Sequence, residues 1–600
     1  MRMTVAQALV KFLGVQYSER DGVEHKLFEG CFGIFGHGNV AGIGQALAAQ
    51  GAGLSSALPY YLARNEQAMV HTAVGFARMR NRLSTFACTT SIGPGATNMV
   101  TGAALATINR IPVLLLPGDV FATRVANPVL QELEDPRSYD VSVNDAFRPV
   151  SRFFDRINRP EQLPSALLAA MRVLTDPAET GAVTLALPQD VQAEAFDWPE
   201  ELFDRRVWHV ARPAPERAAL ARVIEAIRAS ERPLIVAGGG VIYSEAWDDL
   251  RDFAATYGIP VAETQAGKGA LPYDDPLCVG AIGHTGTSAA NALAREADLV
   301  IGIGTRYSDF TTASRTLFGK ARFVNINVAA FDAAKHAGLM LVADAREALR
   351  ALDLPGWRAP REWSSSSPVW WNHRAGPSLT QEAVLEDVQA AMAPTDVVVN
   401  AAGSMPGDLH RLWKARDPKG YHVEYGYSCM GYEIAGGLGV KLAAPEREVF
   451  VLVGDGSYLM LAQEIATSVQ EGVKLVIVLV NNHGFASIGN LSESVGAARL
   501  GTAYRMRSTT GELDGAHLPI DLAANAASLG ADVLRCADRD SLRAALVKAR
   551  EATRTTVVYV ETEPGGDAPG SGAWWDVPVA EGSEHYEAYV EAKKEQKPYV

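Results

Sequence analysis

Residues 448–457 read EVFVLVGDGS. The apolar run has the length of a strand buried on both faces, and it ends in an acidic residue held between two glycines. Glycine lets a backbone turn sharply and come close to a ligand. Downstream, Leu461, Ile465 and Val469 stand four apart, so the spacing predicts a helix that starts near Ser457 and stops at Gly472. A second strand-like run, KLVIVLVNN, follows at 474–482. Strand, tight turn, helix and strand make a parallel unit that binds ligands at the carboxyl ends of its strands. Asp455, Asn481 and Asn482 are therefore expected at one sheet edge. The helix N–H groups near Gly456 and Ser457 would form a phosphate seat there.

The pattern recurs throughout. STFACTT (84–90) runs into the turn GPGATN, a helix through Ala106 and the strand IPVLLL, and from Gly93 to Ile111 is 18 positions against 19 from Gly454 to Val473. This layout suggests duplicated α/β domains. A chain of 600 residues is too long for one core. Charged, proline-broken stretches at 197–217 and 356–378 divide it into three doubly wound parallel-sheet domains, at 1–200, 215–355 and 375–600. A glycine-rich tail closes the last of them.

A net charge of −14 argues against a nucleic acid or an anionic membrane as partner, since either needs a basic face. No apolar stretch reaches membrane-spanning length, and the N-terminus shows no apolar signal core, so a cytoplasmic location is expected. The five cysteines are scattered without a CxxC pair, which suggests neither a disulfide framework nor a zinc site.

A carboxylate, an amide oxygen and a phosphate seat suit a hard, oxygen-seeking cation such as Mg2+. Asp455 and the Asn482 amide would supply two ligands, and the Gly484 carbonyl a third. Taken alone, GDG is equally a turn with an acidic helix cap. GDGS followed by Asn481-Asn482, with Asp455 and Asn482 27 apart, is more specific. It resembles the thiamine-diphosphate-binding motif of the acetolactate synthase and pyruvate decarboxylase superfamily.

That resemblance covers essentially the whole chain and implies two cofactors, thiamine diphosphate and Mg2+. It makes the three domains pyrimidine-binding, central, and diphosphate- and Mg-binding. It implies that Glu66, in RNEQ, is a buried acid that activates the cofactor by exchanging a proton at the pyrimidine N1′. It implies that the Ser428 carbonyl accepts the 4′-amino group, that Met430 wedges beneath the bent cofactor, and that Gly403, Ser404, Gly456 and Ser457 seat the diphosphate. It also implies a homodimer at the least, or a homotetramer, with Glu66 and Asp455 meeting across subunits. The central piece carries RPLIVAGGGV and DLVIGIGTR, and no dinucleotide pattern supports a nucleotide there.

The departures point within the superfamily. FGIFGHGNVAGIG, TTSIGPGATN, NRIPVLLLPGD and AWWDVPVAE are similar to the branch of hydrolases that open cyclic 1,2-diketones. This implies hydrolysis of a carbon–carbon bond in a trihydroxycyclohexane-1,2-dione to 5-deoxy-glucuronate, a step of myo-inositol catabolism. His37, in the Gly-rich loop, and Asp119, after LLLPG, are the candidates for handling water and protons. His71 reads as a packed histidine, and Trp574 and Trp575 either close over the site or pack in a core. Two other readings stay open: a carboligase or decarboxylase of 2-oxo acids, and a non-catalytic cofactor-binding subunit.

Overall fold

The structure is a computed structural model that describes residues 1–599 except 52, 55, 365–369 and 566–567. Part of the expected 356–378 linker thus lies outside the described residues. Three six-stranded, wholly parallel sheets form the frame. The first holds the strands Phe28–Gly33, Tyr60–Leu62, Thr85–Thr90, Val113–Asp119, Phe153–Arg156 and Ala182–Pro188. The third holds Val397–Asn400, Tyr421–Val423, Val449–Gly454, Val476–Asn481, Asp532–Cys536 and Thr556–Glu561. Numbered by appearance within each sheet, both run 2-1-3-4-6-5 across it. The central sheet runs 3-2-1-4-5-6. The likeness of the first and third pieces extends to strand order, as duplication requires.

Central strands such as Thr85–Thr90 and Val449–Val453 are buried along their whole length. Helices covering both faces of a parallel sheet produce this, and it is why these strands read as unbroken apolar runs. In the central sheet the glycine triplet has a packing reason. A Cβ at Gly240 would lie 2.5 Å from the Gly304 Cα, so two strand-end turns touch through bare backbone.

Residues 16–26 form a hairpin, Gln16–Arg20 with Val23–Lys26, and Arg206–His209 joins it in parallel. The expected linker at 197–217 is thus partly a strand.

The chain forms two compact units. One comprises Met1–Ala211 with Ile434–Glu446 and Leu461–Lys474, and the other holds the remainder, with the central and third sheets. Within the first unit, a Cβ at Gly439 would lie 2.0 Å from the Thr72 carbonyl oxygen, so a segment from late in the chain packs tightly on the helix Glu66–Met79. The helix expected after GDGS is two helices, Asp455–Met460 and Glu464–Gln470, and the break falls where the chain passes between units. Among the described residues the five cysteines form no disulfide. Among the described residues no helix is long and apolar enough to cross a membrane.

Candidate active site

The strand Val449–Gly454 pairs in parallel with Val476–Asn481, Gly454 opposite Val480, which brings residue 455 beside 481–484. Asp455 opens the next helix and is 2% exposed. Its Oδ1 accepts the Gly456 N–H at 2.7 Å, and its Oδ2 accepts those of Asn482 at 3.2 Å and Gly484 at 3.0 Å. Burial pushes its carboxyl above the ordinary range, and the backbone N–H groups oppose that rise.

The two asparagines part company. Asn481 donates to the Tyr559 hydroxyl and accepts the His483 N–H, so it fixes the turn. Asn482 Oδ1 is buried with no hydrogen-bond partner. A buried polar atom left unpaired is costly unless a ligand completes it. An orphan amide oxygen next to a buried carboxylate suits a hard cation. Among the described residues no three His, Cys, Asp or Glu gather to hold a metal, so the remaining ligands are carbonyl, phosphate or water oxygens.

The neighbouring loops converge on the same edge. A Cβ at Gly456 would lie 2.7 Å from the Phe485 ring and 3.1 Å from Met430 Cε, so only glycine fits between them. Ser428 sits in the left-handed region, φ 55°. Gly403, φ 93°, and Ser404 follow the strand Val397–Asn400, and the Ser404 hydroxyl donates to Gln381 at 2.7 Å. Both residues open onto a cavity of about 640 Å³, walled by His284, Phe310, Tyr425, Trp574 and Trp575 among others. Trp575 lies 4.9 Å from Phe310 and 5.1 Å from His284, and its Nε1 donates to Asp309 at 2.8 Å. The tryptophans expected from the tail therefore wall a cavity that reaches the glycine loop.

In the first sheet, the strands ending at 33, 62 and 90 deliver three loops to one carboxyl edge. Asn65 caps the helix Glu66–Met79, its Oδ1 accepting the N–H groups of Gln67 at 2.8 Å and Ala68 at 3.2 Å. This gives Asn65 a local reason. Glu66 is half-buried, where burial was expected, because it stands at the first helical position at the sheet edge. Asn98 Nδ2 donates to its Oε2 at 3.0 Å, and a Cβ at Gly95 would come within 3.1 Å of its Oε1. Glu464, 1% exposed, accepts the N–H groups of Arg64 at 3.0 Å and Asn65 at 3.1 Å. Asn98 and Glu464 both escaped sequence reading, although Asn98 ends the recognisable turn GPGATN.

His37 is exposed, its Nε2 3.0 Å from the Leu130 carbonyl, on a loop whose Gly38 N–H donates to Ser91. His71 is fully buried within its helix. Asp119 does not stand ready for water, as the sequence suggested. It is 1% exposed, and its Oδ2 accepts from Arg156 Nε at 2.8 Å and from the Ser142 hydroxyl at 3.2 Å. Buried and bonded in this way, the carboxylate has no open side from which to reach a water.

Three family models match in the order of the sheets: the thiamine pyrophosphate enzyme N-terminal TPP binding domain at residues 3–138, the central domain at 220–352 and the C-terminal TPP binding domain at 401–560. The chain is 47% identical to 3D-(3,5/4)-trihydroxycyclohexane-1,2-dione hydrolase 1 of Bacillus cereus, over 97% of this chain and 96% of that protein. It is 46% identical to the 3D-(3,5/4)-trihydroxycyclohexane-1,2-dione hydrolases of Bacillus thuringiensis, over 99% and 98%, and of Bacillus anthracis, over 98% and 96%. With matches along its whole length, this chain belongs to the thiamine pyrophosphate enzyme family.

Proposed function

We propose that this protein hydrolyses a carbon–carbon bond of 3D-(3,5/4)-trihydroxycyclohexane-1,2-dione, using thiamine diphosphate and Mg2+. The observation that carries the reading is identity of 47% across nearly the full length of a relative so named. Water adds across the bond between the two carbonyl carbons, which breaks. The product is an open-chain acid aldehyde, 5-deoxy-glucuronate, formed as one step of myo-inositol catabolism.

The residues fit both cofactors. Asp455, the orphan Asn482 Oδ1 and the Gly484 carbonyl would hold Mg2+. Gly403, Ser404, Gly456 and Ser457 would seat the diphosphate, while the Ser428 carbonyl and Met430 would hold the rest of the cofactor in its bent form. Once bound, thiamine diphosphate supplies the electron sink that lets a bond beside a carbonyl break. Glu66 moves a proton at the pyrimidine N1′, steadied by the Asn98 amide. His37, exposed on its loop with its Nε2 beside the Leu130 carbonyl, handles the attacking water. Asp119 holds the neighbouring backbone through Arg156 and takes no part in proton transfer. The pyrimidine-binding, central and diphosphate-binding domains correspond to the three sheets. The protein works as a homo-oligomer, a dimer or a tetramer, in the cytoplasm.

The test is the dione in 18O-labelled water. Hydrolysis places one label in the carboxylate of the product. Release of CO2 from pyruvate, with no acid from the dione, would instead indicate a decarboxylase or carboligase.

A further inference from the structure

Three loops meet at the proposed cofactor site from positions far apart in the chain: 400–404, 427–431 and 454–457. One side chain ties them together. Glu433 is fully buried, and its Oε1 accepts the Ala402 N–H at 3.2 Å while its Oε2 accepts the Gly431 N–H at 3.0 Å. It also hydrogen-bonds the Ser457 side chain. Each partner belongs to a different one of the three loops. A second carboxylate braces the middle loop from its other end. Glu424 is 1% exposed, and it accepts the Tyr427 N–H at 2.8 Å and the Cys429 N–H at 3.0 Å. Between these two glutamates lie Ser428, at φ 55°, Met430, and Gly431, at φ 88°. A backbone in that conformation persists only where its surroundings hold it.

We propose that Glu433, assisted by Glu424, is a positioning residue that preorganises the three loops to receive the cofactor, a role that rests on the cofactor reading above. Burying a carboxylate is unfavourable unless hydrogen bonds compensate, so a buried glutamate bonded to three separate loops fixes their mutual placement. Desolvation pushes the Glu433 carboxyl up to about 7 against the pull of those same N–H groups. A glutamine at 433 retains one acceptor and turns an N–H toward the other backbone N–H. The tie breaks on one side without loss of volume.

The test is calorimetric titration of cofactor-free protein with thiamine diphosphate in excess Mg2+, alongside thermal unfolding. Glu433→Gln is expected to raise Kd about ten-fold or more, the size expected for a lost hydrogen bond to a charged group, while turnover at saturating cofactor changes little. Glu424→Gln carries the same expectation and decides the matter if the first variant does not fold. Asp387→Asn is the control. Asp387 is a buried carboxylate of the same sheet's helical layer, paired with Arg539 at 2.7 Å and remote in bonding from the loops. It should lower Tm and leave Kd unchanged. A folded Glu433→Gln that binds like wild type, or a control that weakens binding equally, overturns the positioning role. Wild-type protein that binds no cofactor overturns the cofactor reading itself, and this inference with it.

Discussion

Asp455 Oδ2 accepts the backbone N–H of Asn482 at 3.2 Å across 27 positions of sequence. The contact fixes a carboxylate next to an amide oxygen that has no partner of its own. The two play different parts. Asp455 holds the turn together and Asn482 Oδ1 holds nothing within the protein.

Asn482→Ala should therefore fold with near-normal stability, because no internal hydrogen bond of Oδ1 is lost. Its Mg2+ requirement should rise by roughly ten- to a hundred-fold, as measured by activity against free Mg2+. Asp455→Asn should lose both, since its amide would turn an N–H toward backbone N–H groups.

Glu66→Gln should lower turnover by about 10²- to 10⁴-fold, the range for loss of a proton-transfer group. Asn98→Ala should lower it less, because it removes only the amide that steadies Oε2. Comparing kcat with the cofactor Kd for both variants checks this. A loss confined to Kd would contradict a proton-transfer role.

His37 and Asp119 should separate cleanly. His37→Ala should cut turnover and leave cofactor affinity and unfolding unchanged. Asp119→Ala leaves the buried Arg156 guanidinium without its main partner and should cost about 3–5 kcal/mol in chemical denaturation. Unchanged turnover in His37→Ala would remove His37 from the mechanism.

Stability should also depend on pH through His410. Its ring is buried, 2.9 Å from the Thr285 hydroxyl and 3.1 Å from the Glu263 carbonyl, and burial lowers its pKa to about 3. The unfolded chain protonates this histidine near pH 6.5, while the folded chain stays neutral down to about 3. The stabilisation is thus fully present above pH 6.5 and is lost as pH falls toward 3, at a limiting slope of about 1.4 kcal/mol per pH unit. His410→Gln should flatten the fall in Tm between pH 6.5 and 5. An unchanged slope would show that His410 does not titrate on unfolding.

What could be read from the sequence was what lies close together along it. Asp455 and Asn482 stand inside a short motif, so their places at a sheet edge followed from the order of strand, turn and helix, while Glu66 followed from the family resemblance alone. The layout of the first and third pieces was legible for the same reason. Glu464 was not, because its partners Arg64 and Asn65 lie about 400 positions away. Asp119 misled because its position pointed to a site, while Arg156, the residue that occupies it, joins only through the fold. The break between Met460 and Glu464 left the apolar spacing of Leu461 and Ile465 intact, so periodicity could not reveal it. Glu433 was not legible either, because the Ala402 N–H that it accepts lies 31 positions away and meets it only in the fold.

The most direct test of the central claim is a stopped assay on protein stripped of cofactor, supplied with the dione alone, with Mg2+, with thiamine diphosphate, and with both. Acid and the ring-opened aldehyde should form in equal amounts only when both are added. Acid release without thiamine diphosphate, or none with the complete mixture, would contradict a cofactor-dependent ring-opening hydrolase.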